Sequence, residues 1–149
     1  MSSPFILLTE DNPNDEALTL RALKKNGIVN EVVVARDGAE ALDFLFCTGK
    51  YAGRDRASDP QVVLLDLNLP KIGGLEVLKR MRESEALKYL PVVILTSSKE
   101  DKDLISGYAL GCNSYVVKPV DFTQFSEAVR QLGLYWLVVN ERPPQTLLV

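Results

Sequence analysis

The chain contains no histidine. That absence excludes a Ser-His-Asp or Cys-His mechanism, a His-ligated zinc, and a phosphohistidine relay within the chain itself. Cysteine is scarce as well. Cys47 and Cys112 are the only two; they fit no metal spacing and make no disulfide framework, so they are read as free thiols of a reducing cytosol. Any metal must then be held by oxygen, which selects Mg²⁺ or Mn²⁺. A basic run or stripe is also missing, and the net charge is -3, which disfavours direct nucleic-acid binding. No apolar stretch approaches the length of a membrane span and no signal-peptide pattern opens the chain, so the expected location is cytoplasmic and off the membrane. Internal repeats and low-complexity segments are absent. What is present, 149 residues with 46% hydrophobic content, suffices for one folded domain over residues 1–149 with one core.

The most informative stretch is Val62-Val63-Leu64-Leu65-Asp66-Leu67-Asn68-Leu69-Pro70. A continuous apolar run bounded by turn residues reads as a strand buried on both faces, as in a parallel sheet. Asp66 closes it. Phe5-Ile6-Leu7-Leu8-Thr9 leads likewise into Glu10-Asp11, Val92-Val93-Ile94-Leu95 into Thr96, and Tyr115-Val116-Val117 into Lys118-Pro119. Ligands of open α/β sheets bind at the carboxyl ends of the strands. If these strands are parallel, one edge of the sheet carries three acids, a hydroxyl and a lysine, a set suited to a hard cation and a phosphoryl group.

Between the strands lie helical patterns, giving an α/β class with five βα units. Asn12-Pro13 is an N-cap followed by Pro at the first helical position, with Asp15 as an acid in the first turn; Asn26-Gly27 is the stop. Glu31 to Ala35 is a short Val-rich strand. Asp37 and Glu40 have capping-box spacing before a helix with Leu42, Leu45 and Phe46 on one face. Gly49 to Pro60 reads as a long polar loop. Gly73-Gly74 opens a helix carrying Leu75, Leu78 and Met81. Ser98 and Asp101 cap a helix with Leu104, Ile105, Tyr108 and Ala109 on one face, ended by Gly111. Asp121 and Gln124 form another capping box before a final helix with Phe122, Phe125, Val129, Leu132 and Trp136 near 3.6-residue periodicity. The tail after about residue 139 has no clear period, and is expected either to be flexible or to dock on a partner.

Each site element has an ordinary reading. An acidic pair after a strand is usually just solvated, Thr96 alone is a core-edge hydroxyl, and Lys118 alone is a surface lysine. Together they point elsewhere: converging carboxylates raise one another's pKa unless a cation neutralises them, and lysine serves as a point charge for phosphate. Lys118-Pro119 at a strand end invites a cis peptide.

The combination Glu10-Asp11, Asp66, Thr96 and Lys118-Pro119, in that order, resembles the receiver domain of two-component response regulators, over roughly residues 4–138. The resemblance implies a flavodoxin-like (βα)5 doubly wound five-stranded parallel sheet of order 2-1-3-4-5. It implies Asp66 as phosphoacceptor, and Asp11 as a direct Mg²⁺ ligand with Glu10 acting largely through water. It further implies Asn68 as the residue whose backbone carbonyl completes the metal site, Lys118 as the phosphate-binding lysine, Thr96 as the switch hydroxyl and Tyr115 as the aromatic switch residue. Many members have Asp where Glu10 stands. The long 49–60 loop, Leu65 to Pro70, and a last helix reaching Tyr135-Trp136 are similar to the phytochrome-associated single-domain regulators. The implied partner is a sensor histidine kinase, of phytochrome type in that group. The implied output surface is the helix from Glu100 to Leu110, the strand at Ser114–Val117 and the final helix. The apolar run over 135–139 suits a homodimer through that face and the C-terminal segment. The implied role is a phosphorylation switch promoting its own phosphorylation and dephosphorylation rather than an enzyme, with residues 68 and 98 near the path of the hydrolytic water. Three rivals stand beside this one. An FMN-binding electron carrier would need a Ser/Thr/Gly-rich loop where Glu10-Asp11-Asn12-Pro13 stands. An Asp-nucleophile phosphohydrolase would want an acid where Asn68 stands. A receiver-shaped module that is never phosphorylated would not need the complete residue set.

Overall fold

The structure, a computed structural model, describes residues 5–55, 58–97 and 111–132. The apolar runs form five parallel strands: β1 (Phe5–Thr9), β2 (Glu31–Ala35), β3 (Val62–Asp66), β4 (Val92–Thr96) and β5 (Ser114–Val117). Their order in the sheet is β2-β1-β3-β4-β5, as expected. Every residue of β1, β3 and β4 is buried, which is why those strands read as continuous apolar runs rather than alternating ones. Strand β2 lies at an edge and starts on the exposed Glu31.

Alternate residues feed two cores. Leu7, Val63, Leu65 and Ile94 pack on one face with helices α2 (Gly38–Phe46) and α3 (Gly74–Arg82). Ile6, Leu8, Leu64, Val93, Leu95 and Val116 pack on the other with α1 (Pro13–Lys25) and with Phe125 of the C-terminal helix (Phe122–Leu132). Full burial of each such side chain is worth about 2 kcal/mol. The chain leaves β1 toward β2 on one side of the sheet and returns to β3 on the other. The crevice at that reversal lies beyond the carboxyl ends of β1 and β3, where Glu10, Asp11 and Asp66 stand.

The helix starts follow local chemistry, with two departures. Asn12 caps α1 through bonds from Asn14 N and Asp15 N at 2.8 and 3.1 Å, with Pro13 at its first position, and Gly27 supplies the positive φ of 75° past its end. Asp37 accepts from Glu40 N at 2.7 Å, but Glu40 reaches back to Arg36 N (2.8 Å) rather than to the cap residue. Asp121 accepts from Gln124 N at 2.8 Å, while Gln124 Oε1 takes the Val117 N–H of β5 at 3.0 Å. Both boxes are therefore half formed, and the second half ties the helix start to the preceding strand segment. Two faces also shift from the expected pattern. Val77 joins Leu78 and Met81 in the core while Leu75 is half-buried; Ala41 and Phe44 are buried beside Leu42 and Leu45 while Phe46 is half-buried.

The described residues of the 49–60 loop carry local structure that their polar composition does not announce. They hold a 3-10 turn at Gly49–Tyr51. Arg54 lies over the Phe44 ring at 4.4 Å and donates to Phe44 O (2.8 Å) and Ser58 O (2.7 Å), closing the C-terminal end of α2. The helix expected over Glu100 to Leu110 with its Ser98–Asp101 cap, the extension of the last helix to Trp136, and the tail lie outside the described residues.

Gly38 shows how closely α2 sits on the loop that follows Asp66. A Cβ there would lie 1.8 Å from Ile72 O, and Gly38 N donates to Pro70 O at 3.1 Å. Gly→Ala in a helix ordinarily stabilises by up to about 1 kcal/mol. Here the sign reverses: Gly38→Ala is expected to cost about 2–3 kcal/mol through forced backbone displacement. Urea denaturation at fixed m-value measures it, and an unchanged or raised midpoint would contradict the contact.

Candidate functional site

Thr9 aligns the two central strand ends. Its hydroxyl donates to Leu64 O at 3.1 Å and accepts from Asp66 N at 3.0 Å. The buried Thr9 thus satisfies backbone groups at the end of the β1–β3 pairing and sets Asp66 beside the residues that follow β1. Asp66 Oδ1 accepts from Asn68 N at 3.0 Å, which turns the chain after β3. Helix α3 begins hard against this turn. A Cβ on Gly74 would lie 2.2 Å from Asp66 O, so only glycine allows that approach. On the far side, Lys118 N donates to Thr96 O at 2.7 Å, and the Lys118-Pro119 peptide is cis.

These backbones bring four of the expected side chains together. Oxygens of Glu10, Asp11 and Asp66 lie within 4.8 Å of one another. Glu10 and Asp66 are buried and Asp11 is exposed, so the cluster opens toward solvent through Asp11. Lys118 Nζ sits 2.7 Å from Asp66 Oδ2 and 2.9 Å from Glu10 Oε1. Thr96, buried, ends the adjacent β4. Tyr115 is on β5 in register with Ile94 and is 37% exposed. Asn68 is exposed, two residues beyond Asp66. Residue 98 lies outside the described residues.

Burial, the largest cause, together with the neighbouring Asp66 pushes the Glu10 carboxyl up to about 7, against the pull of Lys118. For Lys118, burial works to lower the pKa, but its bonds to Asp66 and Glu10 outweigh it and hold the ammonium firmly protonated. One ammonium beside three acids leaves the cluster short of positive charge. A hard divalent cation fits that deficit: the donors are all oxygen, they converge, and one is exposed for entry.

Two participants were not legible as such in the sequence. Thr9 read only as the last residue of a strand. Asp15 read as a helix-start acid, yet its Oδ2 lies 3.1 Å from Lys118 Nζ, a third carboxylate on the same ammonium. Its offset of four from Asp11 was the available clue.

The chain is similar to several known proteins. Residues 6–130 match the response regulator receiver domain family. The chain is 43% identical over 141 residues to the probable methanogenesis regulatory protein FilR2 of Methanothrix harundinacea, spanning 94% of this chain and 88% of that one. It superposes on the bacteriophytochrome response regulator AtBRR with a TM-score of 0.83 at 55% identity, covering 95% of this chain and all (100%) of the other. The Mn²⁺-bound form of response regulator Rcp1 aligns at TM-score 0.73 and 37% identity, over 94% and 99% of the two chains. The phosphorylated cyanobacterial phytochrome response regulator RcpA aligns at 0.74 and 35%, over 96% and 99%.

Proposed function

Because the chain belongs to the response regulator receiver domain family, whose members act as phosphoacceptor signalling switches, we propose that Asp66 is its phosphoacceptor and Lys118 the cation that meets the incoming phosphoryl group. One observation carries this reading: Lys118 Nζ lies 2.7 Å from the Asp66 carboxylate where three carboxylates converge within 4.8 Å.

An Asp66 oxygen attacks the phosphorus of a phosphoimidazole on a partner histidine kinase. The O–P bond forms, the P–N bond breaks, and the imidazole leaves, giving an acyl phosphate. Little covalent assistance is needed, so the protein's contribution is alignment and charge. Asn68 N–H holds one Asp66 oxygen at 3.0 Å and so fixes the rotamer of the nucleophile. Lys118 places its ammonium beside the other. Glu10, Asp11 and Asp66, with the Asn68 carbonyl, would hold the divalent cation, proposed to be Mg²⁺. When bound, that cation supplies two positive charges to offset the transferring phosphoryl oxygens.

Phosphorylation replaces one carboxylate charge with about -2 and adds acceptor oxygens. Thr96 then turns its hydroxyl to one of them, and Tyr115 rotates into the space released. The exposed Tyr115 on β5 is the part of this switch nearest the surface, and the face it joins is the proposed output. Slow hydrolysis, assisted by residues 68 and 98, resets the switch; the chain thereby promotes its own phosphorylation and dephosphorylation. The resemblance to AtBRR and RcpA supports a phytochrome-type kinase as donor. The chain is read as one receiver unit, with its core over about 4–138 and a tail over 139–149. A cytoplasmic location is supported by two free thiols; among the described residues, no helix is long and apolar enough to cross a membrane. Self-association through the output face and tail is read by sedimentation of the full chain and of a chain truncated at residue 140, each with and without beryllofluoride; identical association in all four samples would remove both its coupling to the switch and the tail's part in it.

Intact-mass spectrometry after incubation with acetyl phosphate and Mg²⁺ tests the reading. One phosphoryl group, labile to mild base and dependent on Mg²⁺, is expected. An unmodified chain would return it to the class of receiver-shaped interaction modules.

A further inference from the structure

The site as proposed leaves Asp15 without a role. An ammonium carries three N–H donors. Those of Lys118 meet Asp66 Oδ2 at 2.7 Å, Glu10 Oε2 at 3.1 Å and Asp15 Oδ2 at 3.1 Å. Each acceptor comes from a different element: the end of β3, the segment after β1, and the first turn of α1. Two of the three are claimed when the site operates. Glu10 and Asp66 belong, with Asp11, to the cluster that suits a divalent cation. Phosphorylation then turns Asp66 from a carboxylate into an acyl phosphate. Asp15 lies outside that cluster. Among the described residues it is the one partner of Lys118 that stays an uncommitted carboxylate through both events.

We propose that Asp15 is a positioning residue, the standing counter-ion that keeps the Lys118 ammonium at the sheet edge once Glu10 and Asp66 are engaged elsewhere. The inference rests on the receiver reading of the site. The physical need is plain. A divalent cation a few ångströms away repels the ammonium, and a lysine side chain has a flexible stem with much rotamer freedom to regain. Without a third carboxylate the ammonium would swing toward solvent just when the phosphoryl group arrives. The pair is sheltered, with side chains 13% and 30% exposed, so salt screens it less than an open surface pair. The competing account is that Asp15 merely favours the positive end of the α1 dipole. That effect would act on helix stability and would not depend on Lys118.

A double-mutant cycle separates the two accounts. Beryllofluoride affinity in the presence of Mg²⁺ is measured for the full chain, Asp15→Asn, Lys118→Ala and the double variant. Asp15→Asn, nearly isosteric, is expected to weaken binding roughly fivefold, and by less than about twofold when Lys118 is already Ala. Asp15→Glu, which keeps the charge, should recover most of the loss. Because Lys118→Ala weakens the mimic's binding itself, NMR of the lysine ammonium groups supplies a second reading. With Mg²⁺ and beryllofluoride bound, the Lys118 ammonium protons should exchange slowly with water in the full chain and fast in Asp15→Asn. Equal losses in both backgrounds, no loss with Lys118 present, or unchanged ammonium exchange would each overturn the proposal. If Asp66→Asn binds beryllofluoride as well as the unaltered chain, the receiver reading itself fails and takes this inference with it.

Discussion

Asp66→Asn is expected to lose at least about a thousandfold in acyl-phosphate formation, with the fold retained. The substitution keeps the shape of the side chain, and the Asn carbonyl oxygen can still accept the Asn68 N–H that Asp66 Oδ1 takes at 3.0 Å. What it removes is the anionic oxygen that attacks phosphorus, and a neutral amide is a poor nucleophile. Stability should not suffer. Lys118 loses its shortest partner but keeps Glu10 and Asp15. Glu10 loses the neighbouring carboxylate that raises its pKa. The urea midpoint of Asp66→Asn without metal is therefore expected to equal or exceed that of the unaltered chain. Intact-mass spectrometry after acetyl phosphate, run beside the unaltered chain, reads the first expectation. Equal labelling would assign the phosphoryl group to another residue.

The second large effect is on stability, and it depends jointly on pH and metal. Glu10 is held up to about 7 in the folded chain, from 4.5 when solvated. Between those values the folded state binds the proton and the unfolded state does not. Stability therefore falls as pH rises through that window. The loss is on the order of 3 kcal/mol by pH 8, at 1.36 kcal/mol per pKa unit. Among the described residues, the other carboxyl with a large shift lies elsewhere on the scale: Glu40 is lowered to about 2, because its bonds to Lys50, Arg36 N and Tyr51 outweigh its burial. Its contribution is present above about pH 4.5 and is lost only below it. Burial pushes Tyr51 and Cys112 up from ordinary values of 10.0 and 9.0, away from that window. Among the described residues, the slope from pH 5 to 8 thus reports mainly on Glu10.

Mg²⁺ should reverse the loss at pH 8, where Glu10 is ionised, and do far less at pH 5, where a proton occupies it. Asp11→Ala should sharply weaken the Mg²⁺ response. Urea denaturation at pH 5 and pH 8, with and without Mg²⁺, measures all of this, with Glu10→Gln as the variant that should flatten the metal-free profile. A flat profile in the unaltered chain would mean that Lys118 fully compensates the cluster.

Much of the architecture was legible in the residues themselves, for a physical reason. Strands covered on both faces must be apolar throughout, so Phe5–Thr9, Val62–Asp66 and Val92–Thr96 announced a parallel sheet, and the helix starts at Asn12 and Asp37 are local hydrogen-bond chemistry. The polar residues closing those strands stood out because nothing about burial explains them. Glu10, Asp11, Asp66 and Lys118 could therefore be named before any distance was known.

Local sequence could not carry what depends on separations of 52 to 108 residues. Thr9 became the clamp between β1 and β3 only because register set its hydroxyl between Leu64 O and Asp66 N. Asp15 became a partner of Lys118 only because β5 returns that lysine beside α1, 103 residues away. Gln124 left its capping box because Val117 N–H lay within reach. The sequence by itself determined which elements form and which residue types end at the carboxyl edge of the sheet, since both follow from burial and short-range bonding. The tertiary structure alone decided how many carboxylates share one ammonium. That number depends on where four distant backbone segments converge, and it sets both the charge left for a cation and the proton held by Glu10.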